Sequence, residues 1–243
     1  MRNGFTLAFL FFAFAISTVV GQQSSEPIVA ADFVAEERDG VVAVEAEHFV
    51  SQEKAGVRAF HVTTPTQYPE AESDGDGPHW IGASGNAYVE ILPDTRRNHS
   101  EKLTPGVNFS NEPGKLAVLN YKVNFNNPGR YYVWVRMCCT GSEDNGLHVG
   151  LDGEWPASGQ RMQWTGKHGE WQWDSRQRTT LQHSGELGKI WLDVDKPGLH
   201  TIMFSMREDG FEFDRFVLTK EPGAMESKNS EPGPAASPMV THN

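Results

Sequence analysis

The sequence predicts an all-β fold, a two-sheet antiparallel β-sandwich, on three observations. Its apolar segments are short and alternate with polar residues. They are separated by Gly, Pro, Asn and Asp, the residues that turn strands. Between residues 39 and 221 almost nothing repeats with the period of a helix.

The elements follow in order. Residues 1–21 read as a secretory signal peptide: Arg2 precedes an apolar run at 5–16 that is too short to span a bilayer, and 17–21 are small. The expectation is a secreted protein, extracellular or periplasmic, with no membrane attachment after cleavage. Residues 22–38 are polar and weakly patterned, a linker or N-terminal arm, and 39–221 form the sandwich. Its first strand is VVAVEAEHF at 41–49, where Glu45 and Glu47 share a face with backbones roughly 7 Å apart. Residues 87–92 form a strand stopped by Pro93-Asp94. Residues 116–125 put Tyr121, Val123 and Phe125 on one face, and Asn126-Asn127-Pro128-Gly129 turns the chain into 130–137, where Tyr131, Val133, Val135 and Met137 continue the core. Leu147, Val149 and Leu151 make a short strand ending at Asp152-Gly153, and 189–194 make another. The stretch 197–220 reads as a β-hairpin, 199–206 and 211–218 around a polar turn at 207–210. Residues 222–243, rich in Pro, Gly, Ser and Glu, read as a disordered tail.

Charge bounds the partners. With 21 Lys and Arg against 32 Asp and Glu, the chain carries −11. That disfavours nucleic acid and polyanions held by general electrostatics, although a cation or Arg207 can reverse the sign locally for a uronate. The two cysteines, Cys138 and Cys139, are adjacent and on a strand point to opposite faces, one inward and one outward. Neither HExxH, P-loop, GxGxxG nor GxSxG occurs. EAESDGDG at 70–77 begins like an EF-hand loop, but the twelfth position from Glu72 is Ala83 instead of a bidentate Glu, so it reads as a solvated acidic turn. Asn98-His99-Ser100 and Asn108-Phe109-Ser110 are glycosylation sequons.

The EAE of the first strand, NNPGRYYVWVR and GFEFDRFVLT together resemble the galactose-binding-like jelly rolls. The nearest likenesses are carbohydrate-binding modules of families 6 and 35. The longer pattern, with DNGLHVGLDG, W-x-W-D and SMREDGFEFDRFVLTK, is similar to the C-terminal sandwich of family 115 glycoside hydrolases and to agarase-associated modules. The resemblance implies a structural Ca²⁺ held by Glu45, Glu47 and Asp214. Hard oxygen donors suit that ion, and a buried Asp214 needs a cation. The alternative is an acidic edge strand with Asp214 paired to Arg215 or Arg207.

The resemblance also implies a sugar site in the loops at one end, where aromatic rings cover pyranose faces. The rings on offer are Trp164, Trp171 and Trp173, with His148, Asp144, Asn145, Arg207, Glu208 and Glu212 on the same rim; Glu212 stands where the family commonly has Asn. The expected function is a secreted, monomeric, non-catalytic protein that binds a polysaccharide or oligosaccharide. The alternatives are a glycoside hydrolase-related accessory with weak hydrolytic activity and an extracellular protein-interaction module.

Overall fold

The computed structural model describes residues 1, 32–69, 74–227 and 231–240. Apart from Met1, the expected signal peptide lies outside them, and no helix among the described residues is long and apolar enough to cross a membrane. The strands are β1 (Val34–Glu36), β2 (Val41–Glu45), β3 (Ser51–Glu53), β4 (Ala59–Thr63), β5 (Tyr88–Leu92), β6 (Val118–Phe125), β7 (Gly129–Cys138), β8 (Gly146–Leu151), β9 (Met162–Gln163), β10 (Gln172–Asp174), β11 (Trp191–Val194), β12 (Gly198–Met206), β13 (Glu212–Thr219) and β14 (Met239–Val240). One sheet runs β14-β1-β6-β12-β8-β9, with β3 also on β6. The other runs β10-β7-β13-β5-β4, with β11 on β7 and β2 on β13. Among the strands of the described residues only β1 and β6 pair parallel, so the architecture is the expected sandwich.

Aromatic side chains join the sheets. Tyr121 of β6 and Phe204 of β12 meet Phe213 and Phe216 of β13, with Tyr121–Phe216 and Phe204–Phe213 centroids each 4.9 Å apart. This contact corrects the expected hairpin. β12 pairs with β6 and β8, whereas β13 pairs with β2, β5 and β7, so residues 207–211 cross from one sheet to the other. Both strands are central, and they face each other across the core instead of lying side by side.

In β13 the apolar rhythm breaks between Phe213 and Phe216. The register supplies the reason: Phe213 lies opposite Met137 and Arg215 opposite Arg136, so Asp214 is the extra residue of a bulge. Both phenylalanines thereby reach the core while Asp214 and Arg215 stay out of it.

Three further expectations change. The first strand stops at Glu45, and Ala46–His48 form a 3-10 turn whose Ala46 carbonyl accepts the Tyr121 hydroxyl at 2.6 Å. The supposed N-terminal arm contains β1, tied to the Asn126-Asn127 turn by buried Glu37, whose carboxylate accepts both turn N–H groups at 2.8 Å. The supposed tail is ordered over 231–240. Arg215 donates to the Pro232 and Pro234 carbonyls, Trp173 Nε1–H donates to the Glu231 carbonyl at 2.8 Å, and β14 pairs with β1. Polar composition suggested disorder, but these carbonyls serve as acceptors for buried donors on the sheet face.

Candidate functional site

The charges on β2 and β13 form one group on the second sheet. Glu45 Oε1 lies 3.0 Å from Arg215 Nε and accepts the Ser84 hydroxyl at 3.2 Å. Asp214 accepts the Ser84 N–H at 2.8 Å and pairs with buried Arg136. Glu47 sits in the 3-10 turn and not on the strand face expected for it. Burial, then the charges of Glu45 and Asp214, push its carboxyl up to about 8. Glu45 Oε2 and Glu47 Oε2 are buried with no hydrogen-bond partner.

The tryptophans do not form an exposed rim. Trp164 is 0% exposed, in the main core. Trp171 packs with Ala83, Tyr88 and Cys138 and donates Nε1–H to the His79 carbonyl at 2.9 Å. Trp173 packs with Trp134, Val217 and Met225 beneath the C-terminal segment. A polar neighbourhood in sequence suggested exposure, but loops close over the outer face of the second sheet and bury both of its rings. The cysteines occupy opposite faces, Cys138 with Trp171 and Cys139 in the core, so both are buried and neither points to solvent.

The other half of the expected rim does assemble. Glu208 Oε2 accepts the Asn145 N–H at 3.1 Å, and Glu208 pairs with Arg207. Asp144 accepts the N–H groups of Thr140 and Gly141 at 3.0 and 2.9 Å. Gly146 permits this packing, since a Cβ there would meet Arg207 Nη1 at 2.8 Å and Glu208 Oε2 at 2.9 Å. His148 is fully buried. Its Nε2–H donates to the Ser110 carbonyl and its Nδ1 accepts the Arg161 N–H, both at 3.0 Å. Burial, followed by the charges of Arg207 and Arg161, holds this imidazole down at about 4, so it is neutral at pH 7.

Beside these groups opens a cavity of about 270 Å³. Arg96, Phe109, Glu143, Arg161 and Arg178 line it together with Arg207 and Glu208. The first five of these escape the sequence reading, because they come from separate loops with no shared spacing. Asn108 of the second sequon is buried, and its amide donates to the Lys102 carbonyl at 2.9 Å.

Glu212 lies apart from the cavity. Its Oε1 is 2.6 Å from His79 Nδ1, burial pushes its carboxyl up to about 7, and its Oε2 has no partner. Among the described residues, ligand atoms of His79, Cys138 and Glu212 come within 4.8 Å of one another, as do those of Asp74, Asp76 and Glu90. Asp74 and Asp76 belong to the EF-hand-like stretch, of which residues 70–73 lie outside the described residues.

Asp94 offers a test of this crowding of acids. Burial, then the charges of Asp209, Asp76 and Asp144, push its carboxyl from 3.8 to about 8. The native state therefore binds the proton more tightly than the unfolded chain. The stability this supplies is full below about 3.8 and is lost as pH rises through about 8. Asp94→Asn is expected to flatten the decline of unfolding free energy between those limits in urea titrations; parallel slopes for variant and wild type would contradict the assignment.

The family model of the glycosyl hydrolase family 115 C-terminal domain matches residues 78–236. Protein P23 of Formosa agariphila, described as uncharacterised, is 55% identical over 195 residues, 80% of this chain and 47% of that protein. The chain thus spans about half the length of that relative. A family 35 carbohydrate-binding module from Clostridium thermocellum aligns over 72% of this chain and 96% of its own, at 14% identity and a TM-score of 0.38. The GH26-CBM35 β-(1,4)-mannanase of Podospora anserina aligns over 82% of this chain and 29% of its own, at 16% identity and a TM-score of 0.39.

Proposed function

Because the chain belongs to the family of the glycosyl hydrolase family 115 C-terminal domain, we propose that it is a secreted, non-catalytic carbohydrate-binding protein. In this reading the loop end of the sandwich holds a saccharide. The observation that carries it is the cavity beside Arg207 and Glu208, whose polar walls are fixed by buried hydrogen bonds and whose apolar surface comes from Phe109 and Leu103. Concavity, an aromatic face and a few convergent polar groups are what a saccharide site needs. A glycan array probed with the full chain tests the reading. Binding that weakens in an Arg178→Gln variant, whose side chain lines the cavity from a partly exposed position, supports it; an array without any bound glycan contradicts it.

Calcium at the terminal strands is the second part of the proposal. Glu45 Oε2 and Glu47 Oε2, buried and without partners, are hard donors of the right kind, and a cation would relieve the repulsion among Glu45, Glu47 and Asp214. Arg136 and Arg215 already offset part of that charge, so Glu47 is the decisive ligand. At a hundredfold excess over Kd, calcium is expected to add about 2.7 kcal/mol, raising Tm by roughly 5–10 °C relative to chelator. Glu47→Gln is expected to shrink that shift. Superimposable melting curves in calcium and chelator would remove the ion from the account.

A further inference from the structure

We propose that the loop-end cavity takes a negatively charged group on a saccharide, a carboxylate or a sulfate ester, gripped by Arg161, Arg178 and Arg207. This inference rests on the saccharide-binding reading and gives it a substrate class. The chain as a whole is strongly acidic, yet four arginines converge on one small cavity. Two carboxylates share its wall, and both are engaged: Glu143 with Arg96 and His99, Glu208 with Arg207. Among the described residues no salt bridge reaches Arg161 or Arg178.

The surplus positive charge is visible in the groups themselves. Burial, then the charges of Arg207 and Arg178, lower the affinity of Arg161 for its proton. The Nε atoms of Arg161 and Arg207 are buried without an acceptor. Buried donors without acceptors are costly, and crowded guanidinium groups repel. A neutral hydroxyl can accept a hydrogen bond but leaves the guanidinium repulsion in place, whereas an oxyanion accepts hydrogen bonds and also offsets that charge. Guanidinium groups present planar forks that match the paired oxygens of a carboxylate or sulfate.

The surroundings hold these cations in place. Neutral His148 anchors the Arg161 backbone, which stands at φ 57°, and adds no charge of its own. Arg178 donates its N–H to the Arg161 carbonyl at 2.9 Å and Nη1–H to Gln163 at 3.0 Å. The Arg207 guanidinium lies 5.0 Å from the Phe109 ring centroid, so the charged wall adjoins an apolar surface suited to a sugar's C–H face. A volume of about 270 Å³ fits a single sugar residue and its charged group better than a longer segment.

Affinity electrophoresis of the full chain at physiological ionic strength, through gels containing polygalacturonate, λ-carrageenan or neutral β-galactan, tests the inference. Retardation is expected in a charged polymer and not in the neutral one. Arg161→Gln/Arg178→Gln, at partly exposed positions, is expected to weaken it at least about tenfold. Glu143→Gln, which removes a competing carboxylate, is expected to strengthen it. Competition by free galacturonate or by galactose 6-sulfate then identifies the carboxylate or the sulfate ester as the group bound. Equal retardation in the neutral polymer, or charged-polymer binding indifferent to both variants, overturns the anionic assignment and leaves saccharide binding standing. No retardation in any gel contradicts both.

Discussion

Trp164→Ala is expected to destabilise the protein by about 3–5 kcal/mol, the cost of emptying a fully buried indole site. The ring belongs to the core that unites the sheets, and its backbone N–H is fixed to the Asn145 carbonyl at 2.8 Å. At 2–4 °C per kcal/mol, Tm should fall by roughly 10 °C. Any loss of saccharide binding should then follow unfolding and disappear when binding is measured well below the transition. An unchanged Tm with abolished binding would place the ring in the site and return the rim of tryptophans to the account.

Asp214→Ala is expected to cost about 3–5 kcal/mol as well, for a different reason. Removing one partner of a buried pair leaves the other's charge in a low-dielectric setting. Here the bulge of β13 sets Asp214 against Arg136, with the Ser84 N–H on its other oxygen. The cost should therefore appear in chelator as well as in calcium. A variant as stable as wild type in chelator and weaker only in calcium would show that Asp214 matters through the ion alone. This distinction is why Glu47, which has no arginine partner among the described residues, carries the calcium test.

What the sequence makes legible follows from how each element is buried. β6, β7, β8, β11, β12 and β13 alternate or sit between turn signals, and their positions are readable to within a residue or two. β4 is buried on both faces, so AFHVT shows no alternation to read. β1 and β14 are too short for a pattern and exist because distant partners hold them. The crossing of 207–211 between sheets is equally silent, because two strands joined by a short polar loop look alike whether they pair or face each other.

The site divides in the same way. Asp144, Asn145, His148, Arg207 and Glu208 are close in the chain to recognisable strands, and the structure brings them together. Arg96, Arg161 and Arg178 are lone residues in separate loops, invisible until the loops meet. Trp171 and Trp173 mislead for the opposite reason. Their polar neighbours point to solvent, while the rings are covered by segments remote in sequence.

Hydrogen–deuterium exchange with and without oligogalacturonate or a sulfated galactan oligosaccharide decides whether the loop-end arginines hold an anionic saccharide, since it locates the ligand without a variant. Slowed exchange is expected in the loops that carry Arg96 and Phe109, Glu143, Arg161 and Arg207. Protection confined to the outer face of the second sheet around Trp134 and Trp173, or no protection anywhere with either ligand, would contradict it.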